Sequence, residues 1–234
     1  MPLSTPDPSE LVCHDWTVEE REIRRHVARR GRQHAFETID PLRTALVVVD
    51  MVPFFVTESA YCRGIVPNIN ALADGLRQAG SLVAWVVPGH SEPTDRDREH
   101  LGPEIADRYA HSGGEGEPVG RLWPGLMVHD LDLVVEKTAH SAFFPGRSPL
   151  PGLLAGHGID TVVVTGTVTN VCVEASVRDA STLGYRVILV ADACAAVRDQ
   201  DHNATLHVVY RSYGDVRSTS DVLDLIDSGF RTCL

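Results

Sequence analysis

Six short runs of apolar residues recur along the chain. The clearest cover 44–50 (TALVVVD), 82–87 (LVAWVV), 132–137 (DLVVEK), 161–166 (TVVVTG) and 186–192 (RVILVAD), and a weaker sixth covers 215–219 (DVRST). Within each run the apolar positions are mostly continuous and do not alternate with polar ones. Continuous runs of this kind are typical of strands buried on both faces of a sheet. The pattern therefore predicts six strands.

Segments with apolar residues at helical spacing lie between these runs. They cover 68–80, 149–158, 170–184 and 201–214, and several end in glycine, a common helix stop. Strands that alternate with helices form right-handed βαβ units and a parallel sheet. We therefore predict an α/β fold, a three-layer α/β/α sandwich. Its six-stranded, mostly parallel sheet would have the Rossmann-like order 3-2-1-4-5-6.

Residues 1–40 precede the alternating strands and helices and are predicted to form an N-terminal arm and a helix. The helix is expected over 19–32 (EEREIRRHVARRGR), with Val18, Ile23 and Val27 on its packed side. Its arginines are most simply explained as a solvated face with ion pairs between residues one helical turn apart. A nucleic-acid contact or a subunit contact are the alternatives.

The main domain is predicted to cover 41–234. Within it, the segment 89–131 is long and polar and interrupts the alternation of strands and helices. A loop of this length inside a compact domain is usually either functional or disordered. We expect a lid over the site, a subunit contact or a disordered insertion.

Composition narrows the class of protein. The chain has 234 residues, of which 43% are hydrophobic, and its formal net charge is -11. A single domain with a sizeable core fits these values, whereas a nucleic-acid partner does not fit the negative charge. The sequence contains neither a stretch long and apolar enough to span a membrane nor a signal-peptide pattern, so no membrane association is expected. Five widely spaced cysteines without a CxxC pair predict a reducing cytoplasm.

Three chemically active side chains follow predicted strands at one edge of the sheet. Asp50 ends the first strand, Lys137 ends the third, and Cys172 lies in the turn after the fourth. Ligands of open α/β sheets bind at the carboxyl ends of the strands, so these groups should converge there. An acid, an ammonium and a thiol together supply a base, a charge stabiliser and a nucleophile.

Cys172 alone could equally be a small buried hydrophobe. Thr169 or Asn170 is expected to cap a helix that starts there, so that the helix dipole and Lys137 would favour a thiolate. Cys194 follows the fifth strand without such neighbours and is expected to be structural.

Four sequence blocks resemble the isochorismatase-like hydrolase superfamily, in its cysteine hydrolase branch. The blocks are 45–51 (ALVVVDM), 134–144 (VVEKTAHSAFF), 162–196 and 202–223, and the resemblance covers roughly 42–228. Within that superfamily the chain is similar to enzymes of the N-carbamoylsarcosine amidase and ureidoacrylate amidohydrolase type. The resemblance also implies homodimers or homotetramers.

The resemblance implies a role for each site residue. Asp50 corresponds to the general base, Lys137 to the stabilising lysine and Cys172 to the nucleophile. The bond between Thr167 and Val168 corresponds to a cis peptide bond. The N–H groups of Val168 and Cys172 would then form an oxyanion hole.

Departures from the family pattern bear on the substrate. After the first strand the chain reads DMVPFF (50–55), where many relatives carry polar residues, so aromatic side chains are candidates for the pocket walls. The candidates are Phe54, Phe55, Trp123, Phe143 and Phe144, each of which could equally belong to the core. The segment 84–100 contains His90 and His100 but lacks the Asp-Trp-His metal motif of nicotinamidases. No metal or other cofactor is therefore expected.

The leading hypothesis from the sequence is a hydrolase that cleaves a C–N bond of a small amide, ureido or lactam compound. Two alternatives remain. One is vinyl ether hydrolysis of the isochorismatase type, with Asp50 as the acid and Arg147 or Arg211 binding an anionic substrate. The other is an inactive, oligomeric binding protein, which an intact set of Asp50, Lys137 and Cys172 argues against.

Overall fold

A computed structural model describes residues 11–232. Its centre is one six-stranded sheet in the order β3-β2-β1-β4-β5-β6, in which every pair of neighbours is parallel. The strands are β1 (Thr44–Val49), β2 (Leu82–Pro88), β3 (Leu133–Lys137), β4 (Thr161–Thr167), β5 (Arg186–Ala195) and β6 (Asp215–Arg217). The predicted six strands and their order are thereby confirmed.

Helices cover both faces of the sheet. They are α1 (Glu20–Arg30), α2 (Pro53–Val56), α3 (Ala60–Gly64), α4 (Val66–Gln78), α5 (Asp95–Leu101), α6 (Pro103–Ala110), α7 (Leu150–Gly156), α8 (Glu174–Thr182), α9 (Asp199–Ser212) and α10 (Thr219–Thr232). The core clusters of the two faces show that α4 and α10 pack on one face, and α7, α8 and α9 on the other. This is the predicted three-layer sandwich.

The continuous apolar runs supply both layers of core at once. In β1, Leu46 and Val48 belong to the cluster under α4 and α10, while Ala45, Val47 and Val49 belong to the cluster under α7, α8 and α9. Successive side chains of a strand point to opposite faces, so a run without polar residues is what a doubly covered strand requires.

The segment 89–131 is more ordered than the sequence suggests. It contains α5 and α6, and a capping box between Thr94 and Asp97 starts α5. Farther along, Gly113 lies so close to the end of β2 that an added Cβ would stand 1.9 Å from the Pro88 carbonyl oxygen. Arg121 donates to the same oxygen and pairs with Glu136. The segment is therefore fixed against the carboxyl ends of β2 and β3.

The packed face of α1 matches the predicted one in part: Val18, just before the helix, packs against the core, and Val27 does not. Glu22 and His26 are buried, whereas Val27 is exposed; Ile23 packs against the core as expected. The expected pairing one turn apart is present between Arg24 and Glu20, at 3.3 Å on the surface. Val27 is directly adjacent to the buried His26, so the contact with α9 decides which of the two residues is buried.

The N-terminal segment is bonded to the main domain. The Val12 N–H donates to the Ala60 carbonyl oxygen, and the Gly64 backbone approaches Val12 so closely that a Cβ would lie 2.0 Å from its oxygen. The arm predicted for residues 1–10 lies outside the described residues. Among residues 11–232 no helix has the length and apolarity needed to cross a bilayer.

Candidate active site

Asp50 directly follows β1 and lies at the carboxyl edge of the sheet. Its N–H donates to the Val86 carbonyl oxygen of β2, and its φ of 55° places it in the left-handed region, which aspartate tolerates better than most residues. The side chain is 1% exposed. The chain therefore turns sharply at Asp50 and leaves the carboxylate inside the protein.

Lys137 ends β3 and reaches across β2 to the same point. Its Nζ lies 2.9 Å from Asp50 Oδ2 and donates to the Ala139 carbonyl oxygen at 3.0 Å. Neither carboxylate oxygen of Asp50 accepts a hydrogen bond of good geometry from any described residue. Lys137 and the Cys172 thiol nevertheless lie within hydrogen-bonding reach of the carboxylate. A carboxylate in contact with a thiol can take its proton.

Cys172 lies in a single turn of π-helix, Thr169–Val173, which connects β4 to α8. The Thr167–Val168 peptide bond at the end of β4 is cis. The expected cap by Thr169 or Asn170 is absent, because neither side chain caps this turn. The Thr169 hydroxyl instead pairs with His202 Nδ1 at 3.0 Å.

Burial and mutual contact together set the proton affinities of these three groups. Exclusion from water raises the pKa of Asp50, and the charge of Lys137 offsets only part of this effect. Burial opposes the charge of Lys137, but Asp50 and Cys172 more than compensate, so the pKa of Lys137 is raised. Burial and the facing Asp50 raise the pKa of Cys172 to about 12. The thiol is therefore protonated at neutral pH, and the expectation of a resident thiolate is wrong.

His140 is a fourth polar group at this point, and the sequence reasoning missed it. Its Nδ1 lies 3.9 Å from Cys172 Sγ. It follows Lys137 by three residues in the block 134–144 (VVEKTAHSAFF), in which the site residues predicted from the sequence are Lys137, Phe143 and Phe144. A histidine so soon after the lysine was the available signal.

Ser176 joins the turn that carries Cys172 to the segment after Lys137. Its hydroxyl donates to the Cys172 carbonyl oxygen at 2.7 Å and accepts the Ala142 N–H at 2.9 Å. A serine one helical turn after the cysteine is the only sequence signal for this role. Ser176 therefore fixes the distance between two segments that are far apart along the chain.

A histidine stack supports the other side of the turn. His14 lies between Tyr61 and His202, with ring centroids 4.0 Å and 4.3 Å away. His14 also contacts Asp199 at 2.6 Å and accepts the Ala196 N–H. Through His202, the N-terminal segment thus reaches Thr169.

The five predicted aromatic pocket residues separate into three groups. Phe54 and Phe144 are partly exposed, at 38% and 50%. Phe55 and Trp123 are half-buried against the core. The backbone N–H of Trp123 donates to the carbonyl oxygen of Met51, the residue directly after Asp50. Phe143 is fully buried in the core and does not reach an open surface.

A concavity of about 230 Å³ lies at this edge of the sheet, lined by Phe54, the segment 111–115 and Arg121. A larger one, of about 610 Å³, lies around the first residues of β2, at the opposite edge from Asp50. Asp50, Lys137, Cys172 and His140 are not among the lining residues of either concavity.

The two candidate arginines and the loop histidines are also placed. Arg147 binds the Thr138 hydroxyl next to Lys137, whereas Arg211 is exposed on α9. His90 contacts Glu92, and His100 is exposed in α5. Within residues 11–232 no three histidine, cysteine or acidic side chains come together as potential metal ligands.

Comparison with known proteins relates this arrangement to a family. Residues 44–221 match the family model described as the isochorismatase domain. A probable inactive nicotinamidase of Arabidopsis thaliana is 34% identical over 176 residues, which cover 70% of this chain and 86% of that protein. The match of the family model begins at β1, so α1 and the segment before it lie outside it.

Two solved structures share the fold and part of the sequence. A cysteine hydrolase from Pseudomonas syringae pv. phaseolicola 1448A has a TM-score of 0.72 and 30% identity, covering 84% of this chain and 97% of that one. An N-carbamoylsarcosine amidase from Thermoplasma acidophilum has a TM-score of 0.61 and 28% identity, covering 76% and 96%.

Proposed function

The chain belongs to the isochorismatase family of hydrolases, and on that premise we propose that it is a cysteine-dependent amidohydrolase. It would cleave a C–N bond of a small amide, ureido or lactam compound through a thioester. The observation that carries the proposal is the meeting of Asp50, Lys137 and Cys172 at one strand edge, with the Asp50 carboxylate within hydrogen-bonding reach of both the ammonium and the thiol.

Asp50 acts as the base in the first step. Because the pKa of Cys172 is raised to about 12, the thiol gives up its proton only as it attacks. The raised pKa of Asp50 makes its carboxylate a stronger base than an exposed aspartate. The Cys172 sulfur then forms a bond to the substrate carbonyl carbon while the thiol proton moves to Asp50.

The resulting oxyanion needs donors, which the turn after β4 supplies. We assign this role to the N–H groups of Val168, directly before the π-helical turn, and of Cys172, within it. Lys137, whose charge is held next to Asp50, stabilises the negative charge of the site. Collapse of the intermediate breaks the C–N bond, and Asp50 returns its proton to the leaving amine. The thioester at Cys172 is then hydrolysed by water.

The state of the cysteines supports a reducing environment for this chemistry. Cys13, Cys62, Cys172 and Cys194 are all free. A thiol nucleophile survives where disulfides do not form, so we place the enzyme in the cytoplasm. We also propose a homodimer or homotetramer, without a nucleic-acid or membrane partner.

The alkylation rate of Cys172 is expected to rise with pH without levelling off below about pH 10, because the pKa of the thiol is raised to about 12. Iodoacetamide labelling followed by peptide mass spectrometry measures this rate. Cys194, which is fully buried, is the control and should label more slowly at every pH. A plateau for Cys172 near pH 8 would show a resident thiolate and contradict the coupled deprotonation.

A panel of carboxamides, ureido acids and lactams, assayed for release of ammonia or amine, tests the proposed function. At least one class should be hydrolysed, and isochorismate, included as the vinyl ether, should not. Turnover of isochorismate alone would favour the vinyl ether alternative. No turnover across the panel, with an unreactive Cys172, would favour an inactive protein, as the name of the Arabidopsis relative describes for that protein.

A further inference from the structure

We propose that His140 is a second proton-transfer group of this site, the general base for the water that hydrolyses the thioester at Cys172. The inference rests on the proposed function and assigns its two steps, acylation and deacylation of Cys172, to two different bases. Asp50 would serve the attack of the thiol, and His140 the attack of water.

The position of His140 is the first argument. Its Nδ1 lies 3.9 Å from Cys172 Sγ, and the residue is exposed, whereas Asp50 and Lys137 are 1% and 4% exposed. Cys172 therefore has two potential bases next to it, the buried Asp50 and the exposed His140. Water that replaces the departed amine arrives from the solvent side, where His140 stands.

The segment that carries His140 is fixed at both ends to the site. Before it, the Ala139 carbonyl oxygen accepts from Lys137 Nζ. After it, the Ala142 N–H donates to Ser176, which in turn donates to the Cys172 carbonyl oxygen. These hydrogen bonds hold the His140 imidazole next to Cys172 Sγ, although the residue itself is exposed.

The protonation state of His140 suits a base. His140 is exposed as a residue, but its ring is partly shielded from water at the sulfur. This partial burial lowers its pKa, and the charge of Lys137 lowers it further, while Asp50 and Asp97 of α5 act in the opposite direction. The imidazole is therefore neutral at pH 7, and with the proton on Nε2 its Nδ1 lone pair is free.

The proposed step balances as follows. Water oxygen forms a bond to the thioester carbonyl carbon while one water proton moves to His140 Nδ1. The tetrahedral intermediate collapses, the C–S bond breaks, and the sulfur takes back the proton from His140. The products are the free acid and the Cys172 thiol, and no other reactant is needed.

The test uses p-nitrophenyl acetate, which acylates thiols and reports acylation by release of p-nitrophenolate. His140→Asn keeps a polar group near the Nδ1 position without its basicity. We expect a burst of close to one equivalent at an unchanged rate, then deacylation slower by about 10²-fold. Acetylated Cys172 should accumulate in this variant, and free imidazole should restore deacylation in His140→Ala. His157→Asn, an exposed histidine at the end of α7, is the matched control and should behave as wild type.

The pH profile gives a second readout that a purely structural role would not change. Wild-type deacylation should fall as the pH drops below the lowered pKa of His140, and this fall should be absent in His140→Asn. Unchanged deacylation in His140→Asn would overturn the inference, as would equal slowing of both phases without accumulation of acetylated Cys172. A burst that persists in Cys172→Ala would instead contradict the proposed function itself, since a group other than Cys172, such as the exposed thiol of Cys13, would then carry the acetyl group.

Discussion

Replacing Cys172 with alanine is expected to lower kcat/KM for amide hydrolysis by at least about 10⁴-fold, because no other group can form the covalent intermediate. Among residues 11–232, the other two buried thiols have partners other than Asp50 and Lys137. Cys62 Sγ contacts the Thr167 hydroxyl, and Cys194 Sγ contacts the Val164 carbonyl oxygen inside the sheet. Steady-state kinetics with the best amide of the panel measures the loss.

Cys194→Ala is the matched control for this experiment. Cys194 is fully buried and belongs to the same core cluster as Cys172. Its replacement by alanine removes a sulfur atom from that cluster but leaves Asp50 and Lys137 in place. We expect it to lose some stability and to keep its turnover per folded molecule. Retained amide turnover in Cys172→Ala would exclude the thioester mechanism and leave Asp50 as an acid or base acting without a nucleophilic thiol.

Replacing Lys137 with methionine is expected to lower the free energy of unfolding by about 3–5 kcal/mol at pH 8, and to abolish turnover. The change keeps the length of the side chain but leaves Asp50, 1% exposed, without its counter-charge. A buried ion pair adds little net stability, but one isolated charge of such a pair is strongly destabilising. Urea unfolding at several pH values measures the loss.

The loss should shrink as the pH falls. Without Lys137 the pKa of Asp50, already raised by burial, rises further. A carboxyl whose pKa is higher in the folded state than in the unfolded state favours folding below the unfolded value and loses that contribution as the pH rises. The double variant Asp50→Asn/Lys137→Met should recover much of the stability at pH 8. Equal stability of Lys137→Met and wild type at pH 8 would show that the pair is solvated and not buried.

The sheet could be predicted from the sequence because its signal is local. Each strand carries its own continuous apolar run, and the connections between strands obey general rules of handedness. The sequence also indicated that Asp50, Lys137 and Cys172 share one edge, since all three follow parallel strands. The structure places the Lys137 ammonium 2.9 Å from Asp50.

The face of α1, the order within 89–131 and the burial of Phe143 could not be read from the sequence. Val27 and His26 are adjacent, and only the surface of α9 decides which of them is buried. The capping box at Thr94 is a local signal that the polar composition of the segment concealed. Phe143 and Phe144 are neighbours in sequence, but one lies in the core and the other is half exposed.

The sequence by itself determined the fold class, the strand order and the placement of Asp50, Lys137 and Cys172 at one edge of the sheet. Only the tertiary structure decided their chemical state. The pKa of Cys172 rises to about 12 because other segments exclude water from it and bring Asp50 towards it. The contact of His140 with Cys172, and the ties through Ala139 and Ser176, join positions that are separate along the chain. Strand formation depends on neighbouring residues, whereas proton affinity depends on everything that displaces solvent around a group, and that is known only when the whole chain has packed.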